Sequence, residues 1–230
     1  MSIGRQLYPY LVAFVAAVGG FLFGFDLSIM SGAQIYLREA FHLDAAAFGF
    51  AVASAVLGCT VGPIAGIWVC DALGRKKTLM LSAGLFGASS IGTALPETIG
   101  QFCAFRIIGG VGVGLAGVAS PMYIAEMAPA RIRGRLVTMN QLAIVVGSLS
   151  AFLTANFLAQ TLDEAVSWRW MFASELVPIV LFIILLGGVP ESPRWLAGRG
   201  REAEARRVLV RIMGPVEAER EMAGLTASLG

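Results

Sequence analysis

The chain has 230 residues, of which 57% are hydrophobic and only 14% are charged, and its mean hydropathy is +0.77. A soluble domain has about 25% charged residues, so this composition excludes an ordinary water-soluble fold. The net charge of +2 says little by itself, and we expect no nucleic-acid partner. The three cysteines lie in apolar runs without metal-ligand spacing, which predicts packing residues rather than a metal site.

Six apolar runs reach or approach the roughly 20 residues that a membrane-spanning helix needs. In chain order they cover about 8–30, 45–70, 78–95, 101–126, 136–159 and 170–189. We therefore predict an all-α membrane protein whose residues 1–189 form a six-helix transmembrane bundle. A weak repeat of the polar segments after runs two and four favours two inverted three-helix units.

Residues 190–230 are charged and predict a cytoplasmic helical linker. Glu202 and Arg206 stand four residues apart, as in a solvated helix. Gly214–Pro215 interrupts that pattern, and the residues beyond it predict a second short amphipathic helix or a linker.

The connections between the runs alternate in charge. Those after runs two and four are short and basic, whereas 31–44, 96–100 and 160–169 are nearly neutral or acidic. Together with Arg5 and the linker, the basic connections hold most of the 17 Lys and Arg residues. The positive-inside rule therefore predicts that both termini are cytoplasmic.

Three ionisable residues lie inside the runs at a similar predicted depth. Asp26 lies about 27 Å along run one, in the outer half of the membrane. Arg106 and Glu175 each lie about 8 Å into runs that start from the outer side. Ionisable residues inside a membrane are expensive, so these three are candidates for a functional site.

Two carboxylates around one guanidinium could bind and release a proton. Arg stays protonated and holds one carboxylate, while desolvation favours protonation of the other. The alternative is a static ion network that only fixes the helix packing. Residue types alone favour neither.

Several motifs together resemble one known family. They are Phe23–Gly24–Phe25–Asp26, Asp71-x-Leu73–Gly74–Arg75–Lys76, Arg106–Ile107–Ile108–Gly109–Gly110, Pro121–Met122–Tyr123–Ile124–Ala125–Glu126 with Arg133–Gly134, Asn140–Gln141, Trp168–Arg169–Trp170 through Glu175, and Pro190–Glu191–Ser192–Pro193–Arg194–Trp195. The chain resembles the N-terminal half of a sugar porter of the major facilitator superfamily, of the bacterial xylose–proton symporter type. The likeness covers nearly the whole chain.

The resemblance implies proton-coupled monosaccharide symport by alternating access. It assigns Asp26, Arg106 and Glu175 to proton coupling, with Asp26 as the protonatable acid. Facilitative relatives usually lack an acid at this position, so its presence favours symport over uniport. It places Gln141 at a sugar hydroxyl and Phe23 beside the sugar.

The residues themselves place Gln141, Ile144 and Ser148 on one helix face, which suits a polyol. Alternatively, Gln141 forms an interhelical hydrogen bond. Ser148 stands where the xylose-type pattern has a second glutamine, so hexose and pentose both remain open.

The basic loops resemble the family's cytoplasmic gate. We expect ion pairs between Asp71 and Arg75, Glu126 and Arg133, and Glu191 and Arg194 to stabilise an outward-open state. Two glycines accompany these pairs, Gly74 and Gly134. The alternative is that the charges only fix topology and contact lipid headgroups.

Rival functions have weaker support. Gly112–Val113–Gly114–Leu115–Ala116–Gly117 formally matches a dinucleotide fingerprint, but it lies inside an apolar run, where small residues predict helix packing. His42, the single histidine, has no catalytic neighbours in the sequence, so we expect no enzymatic activity, cofactor or metal ion.

The family has twelve helices, so we expect this chain to be a half-length form that needs its C-terminal half or a second copy. The alternatives are a facilitative uniporter, a non-transporting sugar receptor or an inactive half-protein.

Overall fold

The computed structural model describes the backbone of residues 3–229 and the side chains of residues 7–227, so the side chain of Arg5 lies outside the described part. The described chain is all-helical. Its ten helices are α1 Ile3–Ala40, α2 Ala45–Leu73, α3 Arg75–Ala94, α4 Ile99–Met127, α5 Arg133–Thr161, α6 Glu164–Ala173, α7 Leu176–Gly187, α8 Pro193–Gly198, α9 Glu202–Met213 and α10 Pro215–Leu229.

Five helical segments are long and apolar enough to cross a membrane. They are Leu7–Ala40, Ala45–Leu73, Ile99–Met127, Arg133–Thr161 and Glu164–Gly187, the last of which combines α6 and α7. Five of the six predicted runs therefore qualify by themselves. The break between α6 and α7 falls at Ser174–Glu175, inside the predicted sixth run.

The third predicted run is helical throughout as α3, but it is less apolar because it buries several hydroxyl groups. Thr78, Ser82 and Thr93 satisfy theirs by donating to carbonyls of α3 itself or of the preceding residue. Ser90 instead donates to the carbonyl of Phe172 on α6 at 2.7 Å. The helix packs against α4, α6 and α7, so its polar face is covered by protein.

The first helix is longer than predicted. Hydropathy placed a loop at 31–44, whereas α1 continues to Ala40. Ala33 and Leu37 are one turn apart and fully buried in that extension. Packing of one helix face therefore extends α1 beyond the uniformly apolar segment.

Two helix pairs pack with their backbones in close approach, and glycine makes this possible. In α2 and α4, a Cβ on Gly58 or Gly110 would collide with backbone of the opposite helix. The same holds for Gly24 and Gly147 in α1 and α5. Such small residues are how membrane helices maximise contact without a hydrophobic driving force between them.

The glycine pattern at 112–117 that formally matches a dinucleotide fingerprint also serves packing. It lies inside α4, where Gly112 faces α3 and Gly114 faces Pro63 of α2. Two of its three glycines thus serve helix packing as predicted, whereas a Cβ on Gly117 would meet nothing within 4 Å.

The linker folds as α8, α9 and α10, and we call the end of the bundle that it covers the linker end. There α2, α4 and α7 end, while α1 and α3 begin. Gly214, with φ of 90°, separates α9 from α10 at the predicted break. Arg206 pairs with Glu219 of α10 at 2.5 Å instead of with Glu202, so it joins the two helices.

Candidate functional site

The most deeply buried charges form an ion pair between α1 and α4. Arg106 Nη1 lies 2.6 Å from Asp26 Oδ1, and the two side chains are 2% and 1% exposed. The buried apolar side chains form two clusters, one of which includes Leu22 and the other Phe25. Asp26 follows both residues on α1, so the ion pair lies where the two clusters meet. A charge-assisted bond in such a site is strong, yet it replaces the hydration of two ions.

Glu175 lies at the break between α6 and α7 and is 1% exposed. The charges of Asp26 and Arg106 both act on it. Among the described residues, Arg106 forms an ion pair within 4.0 Å with Asp26 and none with Glu175. The predicted trio is thus brought together, with one carboxylate paired and the other nearby.

Hydrogen-bonding capacity is left over in this group. Asp26 Oδ2, Arg106 Nε and Glu175 Oε1 are buried and have no hydrogen-bond partner in the described structure. Unsatisfied buried polar atoms are rare in proteins and indicate a strained or functional site. The group can therefore exchange partners or accept a proton without first breaking every existing bond.

Aromatic rings, which motif spacing did not assign to the site, shield the group from solvent. The guanidinium of Arg106 lies 5.8 Å from the ring centroid of Phe172. Phe102 packs edge-on against Phe172 with centroids 5.3 Å apart. Both rings are fully buried, so they keep the local dielectric low and the interaction between the charges strong.

A cleft of about 560 Å³ lies one turn away along α1. Its lining consists of Gly19, Gly20, Phe23, Ala116, Gly117, Pro121, Val137, Thr138, Asn140, Gln141 and Ile144. The predicted substrate residues Phe23, Gln141 and Ile144 are therefore adjacent. Phe23 precedes Asp26 by three residues, or about 4.5 Å of helix rise, so the cleft adjoins the ion pair.

Two polar groups are free in the cleft. Within the described chain, Gln141 makes no hydrogen bond to protein, so the alternative of an interhelical bond from its amide is not realised. Asn140 Oδ1 is buried and also unpartnered. Motif spacing did not assign Asn140 to the site, although its position beside Gln141 is a signal that could have done so.

Ser148 does not line the cleft. Its hydroxyl donates to the carbonyl of Gly24 at 3.2 Å. Because glycine lets α1 and α5 approach here, the Ser148 side chain bridges the two backbones instead of facing open space. The prediction that Ser148 contacts substrate is not supported by this geometry.

The linker end holds a second polar network. Arg75 Nε lies 3.0 Å from Glu126 Oε2, and both side chains are about nine-tenths buried. Arg75 also lies 3.4 Å from Asp71, as predicted. The Ser192 hydroxyl donates to the same Glu126 oxygen, and this contact joins α4 to the linker.

Two of the three expected pairs are replaced by other contacts. Arg133 donates to the carbonyl of Ala128 at 3.5 Å, and Glu126 pairs with Arg75 instead. Glu191 accepts the backbone N–H groups of Lys76 at 3.0 Å and Ser192 at 2.8 Å. In the described residues it forms no ion pair with Arg194, which is exposed.

The two glycines of the predicted gate differ. Gly74 has φ of 93°, and a Cβ there would collide with the Glu191 carboxylate. This is a backbone conformation that only glycine adopts without strain. Gly134 is exposed with open space around it.

The linker also caps the end of α2, through Trp195 of the quoted Pro190–Trp195 motif and through Arg199, which no sequence pattern pointed to. Trp195 Nε1 donates to the Asp71 carbonyl at 2.9 Å. Arg199 donates to the carbonyls of Asp71 at 2.8 Å and Ala72 at 3.0 Å. These bonds satisfy carbonyls that a helix end leaves without partners.

A helical membrane bundle with a buried ion pair beside a polar cleft is typical of the transporter class of membrane proteins. The family model "Sugar (and other) transporter" matches residues 12–230. This chain belongs to that family of sugar transporters.

Relatives support the same assignment. The chain is 40% identical to the D-xylose-proton symporter of Escherichia coli (strain K12) over 96% of its own length and 51% of the relative's. It is 43% identical to the glucose transport protein of Synechocystis sp., over 93% of this chain and 47% of that relative. It thus spans about half the length of the curated relatives it matches.

A solved structure agrees in fold. The proton:xylose symporter XylE bound to 6-bromo-6-deoxy-D-glucose superposes with a TM-score of 0.95 at 39% identity, over 98% of this chain and 54% of that one. The fold of this chain is that of the N-terminal half of XylE, which has the fold of the major facilitator superfamily.

Proposed function

We propose that this chain carries the proton-coupling site and one side of the sugar site of a monosaccharide–proton symporter. The observation that carries the proposal is the buried Asp26–Arg106 pair, with its unpartnered atoms, one helical turn from the cleft. Relatives named as proton symporters support it. The substrate class is a hexose or pentose, and the proposal includes no enzymatic step.

The proposed coupling follows from charge. Asp26 binds Arg106 as a carboxylate, and taking up a proton cancels most of that attraction. Arg106 can then turn toward Glu175, whose Oε1 is free. Because α1 carries both Asp26 and Phe23, this exchange changes the packing of the helix that lines the cleft. Proton binding and sugar binding thereby affect one another.

The Gln141 amide offers both a donor and an acceptor to sugar hydroxyls, and Asn140 Oδ1 adds an acceptor. Phe23 and Ile144 supply apolar surface against the sugar ring. Such a mixture of a few polar groups on an apolar wall is typical of small-molecule sites.

Arg75, Glu126 and Asp71, with Ser192 and Glu191, form the proposed gate. Exposed ion pairs contribute only about 0–1 kcal/mol, but Arg75 and Glu126 are nearly buried and share their partners with the linker. Alternating access requires these contacts to break when the linker end opens. Arg133, Gly134 and Arg194 belong to the proposed gate through the family resemblance alone.

The proposed orientation puts the linker end in the cytoplasm of a cell bounded by the inner or plasma membrane. Residues 1–189 then form the membrane bundle with α3 as its sixth span, and 190–230 the cytoplasmic linker. The exposed basic residues between α4 and α5 support this arrangement. Single cysteines at Ala223 and Ala45, in a background free of other cysteines, should react from opposite sides with a charged thiol reagent.

Proteoliposome uptake tests the transport proposal. The chain is reconstituted and labelled sugar is followed with and without an inward proton gradient. Gradient-driven accumulation that Asp26→Asn abolishes, and that the exposed control Asp163→Asn retains, supports symport. Equilibration without accumulation indicates the uniporter alternative. Sugar binding without uptake indicates a receptor or half-protein.

A further inference from the structure

A pocket of about 540 Å³ opens at the linker end, apart from both the ion pair and the cleft. It lies between the start of α3 and helices α8 and α9. Its lining consists of Lys76, Lys77, Met80, Pro190, Glu191, Trp195, Leu196, Arg201, Glu204, Arg207 and Val208. Four cations and two acids therefore meet in one space.

Both carboxylates of the pocket already accept hydrogen bonds from protein groups. Glu191 Oε1 accepts two backbone N–H groups. Glu204 accepts two hydrogen bonds from Arg201, at 2.8 and 2.7 Å. Within the described residues, neither Lys77 nor Arg207 has an ion-pair partner within 4.0 Å. The pocket thus keeps unneutralised positive charge.

The pocket lies at the depth where apolar spans end. Lys76 Nζ donates to the carbonyl of Gly187, the last residue of the span Glu164–Gly187. Leu73, which closes another span, lies three residues before Lys76. This is the level of lipid headgroups, so a membrane lipid can reach the pocket from the bilayer.

One wall of the pocket is apolar. Leu196 and Val208 are buried, and Met80 and Trp195 are partly buried beside them. Cations above an apolar wall match a molecule that joins an anionic head to a glyceride body. Arg and Lys are the side chains that bind phosphate oxygens, the former by two parallel bonds.

We propose that this pocket binds the phosphate group of an anionic membrane lipid. The inference uses no residue of the proposed proton or sugar site, and of the proposed gate it shares only Glu191. The bound headgroup joins α3 to α9 and so ties the linker to the membrane bundle.

The test measures lipid retention by the full chain. Protein is equilibrated in phosphatidylcholine vesicles with and without phosphatidylglycerol, extracted, and analysed by native mass spectrometry. Lys77→Gln and Arg207→Gln should each lower phosphatidylglycerol retention about fivefold, since a cation near an anionic surface contributes about 1 kcal/mol. Arg207→Lys keeps the charge and should retain most of the lipid.

The matched control is Arg131→Gln. It removes the same single charge from an exposed position of the α4–α5 connection, outside the pocket. Equal loss of phosphatidylglycerol in the control and the pocket variants would overturn the proposal, as would unchanged retention in the pocket variants. Inorganic phosphate that displaces the lipid at comparable concentration would overturn the lipid assignment and leave a free-phosphate site. Far-ultraviolet circular dichroism in phosphatidylcholine alone checks that each variant is folded.

Discussion

The first prediction concerns Arg106, its paired carboxylate Asp26 and the nearby carboxylate of Glu175. Asp26→Asn removes the paired charge but keeps the shape of the side chain. Glu175 is buried beside the pair with a free oxygen, so Arg106 can turn to it. We therefore expect Asp26→Asn alone, and Glu175→Gln alone, to destabilise the folded chain by only about 1 kcal/mol each.

The double variant should behave differently, because Arg106 then has no carboxylate to bind. An uncompensated charge left by breaking a buried pair costs about 3–5 kcal/mol. Insertion scales give about 2.5–3.5 kcal/mol for an Arg inside a membrane helix. Asp26→Asn with Glu175→Gln should therefore cost about 3–4 kcal/mol, more than the sum of the two single changes.

Unfolding in detergent, followed by a denaturant titration for each variant, measures the coupling. Adding Arg106→Gln to the double variant should recover about half of the loss, since no buried charge remains. Additive costs for the two acids, or no recovery on removing Arg106, would refute the idea that both carboxylates serve one cation.

Three further predictions concern the cleft, the helix packing and the linker. Gln141→Leu should weaken sugar binding about two- to twelvefold in equilibrium binding of labelled sugar, the equivalent of one hydrogen bond of about 0.5–1.5 kcal/mol. Gly110→Leu should separate α2 from α4 and destabilise the chain by about 1–3 kcal/mol or more in detergent melts. The hydrogen bonds from Arg201 lower the pKa of Glu204 below its ordinary 4.5. The Arg201–Glu204 pair therefore stabilises the start of α9 above pH 4.5. This stabilisation is lost as the pH falls through the lowered pKa of Glu204 in the folded chain. Limited proteolysis of the linker at different pH values should detect the loss.

Matched controls exist for all three. Gln160→Leu changes the same residue type at the other end of α5 and should leave sugar binding intact. Gly84→Leu adds the same side chain where a Cβ meets open space. Glu202→Gln removes a neighbouring exposed carboxylate that forms no ion pair within 4.0 Å in the described structure, and it should not change the acid response.

Hydropathy and charge predicted most of the architecture, because the membrane requires apolar spans of a fixed length and charged connections between them. The starts of α2 and α5 fall within a few residues of their predicted positions. The end of α1 was missed because Ala33 and Leu37 continue the helix by packing, which a hydropathy window does not detect.

Depth arithmetic brought Asp26, Arg106 and Glu175 together correctly, since helix rise is constant. Helix rise does not predict which of the two acids pairs with Arg106, because the pairing depends on the side-chain rotamers. The expected pair of Glu126 and Arg133 failed for a similar reason. Arg75 reaches Glu126 from another helix, and no spacing along the chain reveals that contact.

The hydroxyl-rich face of α3 has a consequence for biosynthesis. A helix that is not apolar enough to partition into lipid by itself depends on neighbours already present in the bilayer. One of its buried hydroxyls, on Ser90, finds its acceptor only on Phe172, 82 residues later in the chain. Ser90 therefore gains its acceptor only after the ribosome has completed α6, so we expect α3 to settle fully into the bilayer only once α6 is present.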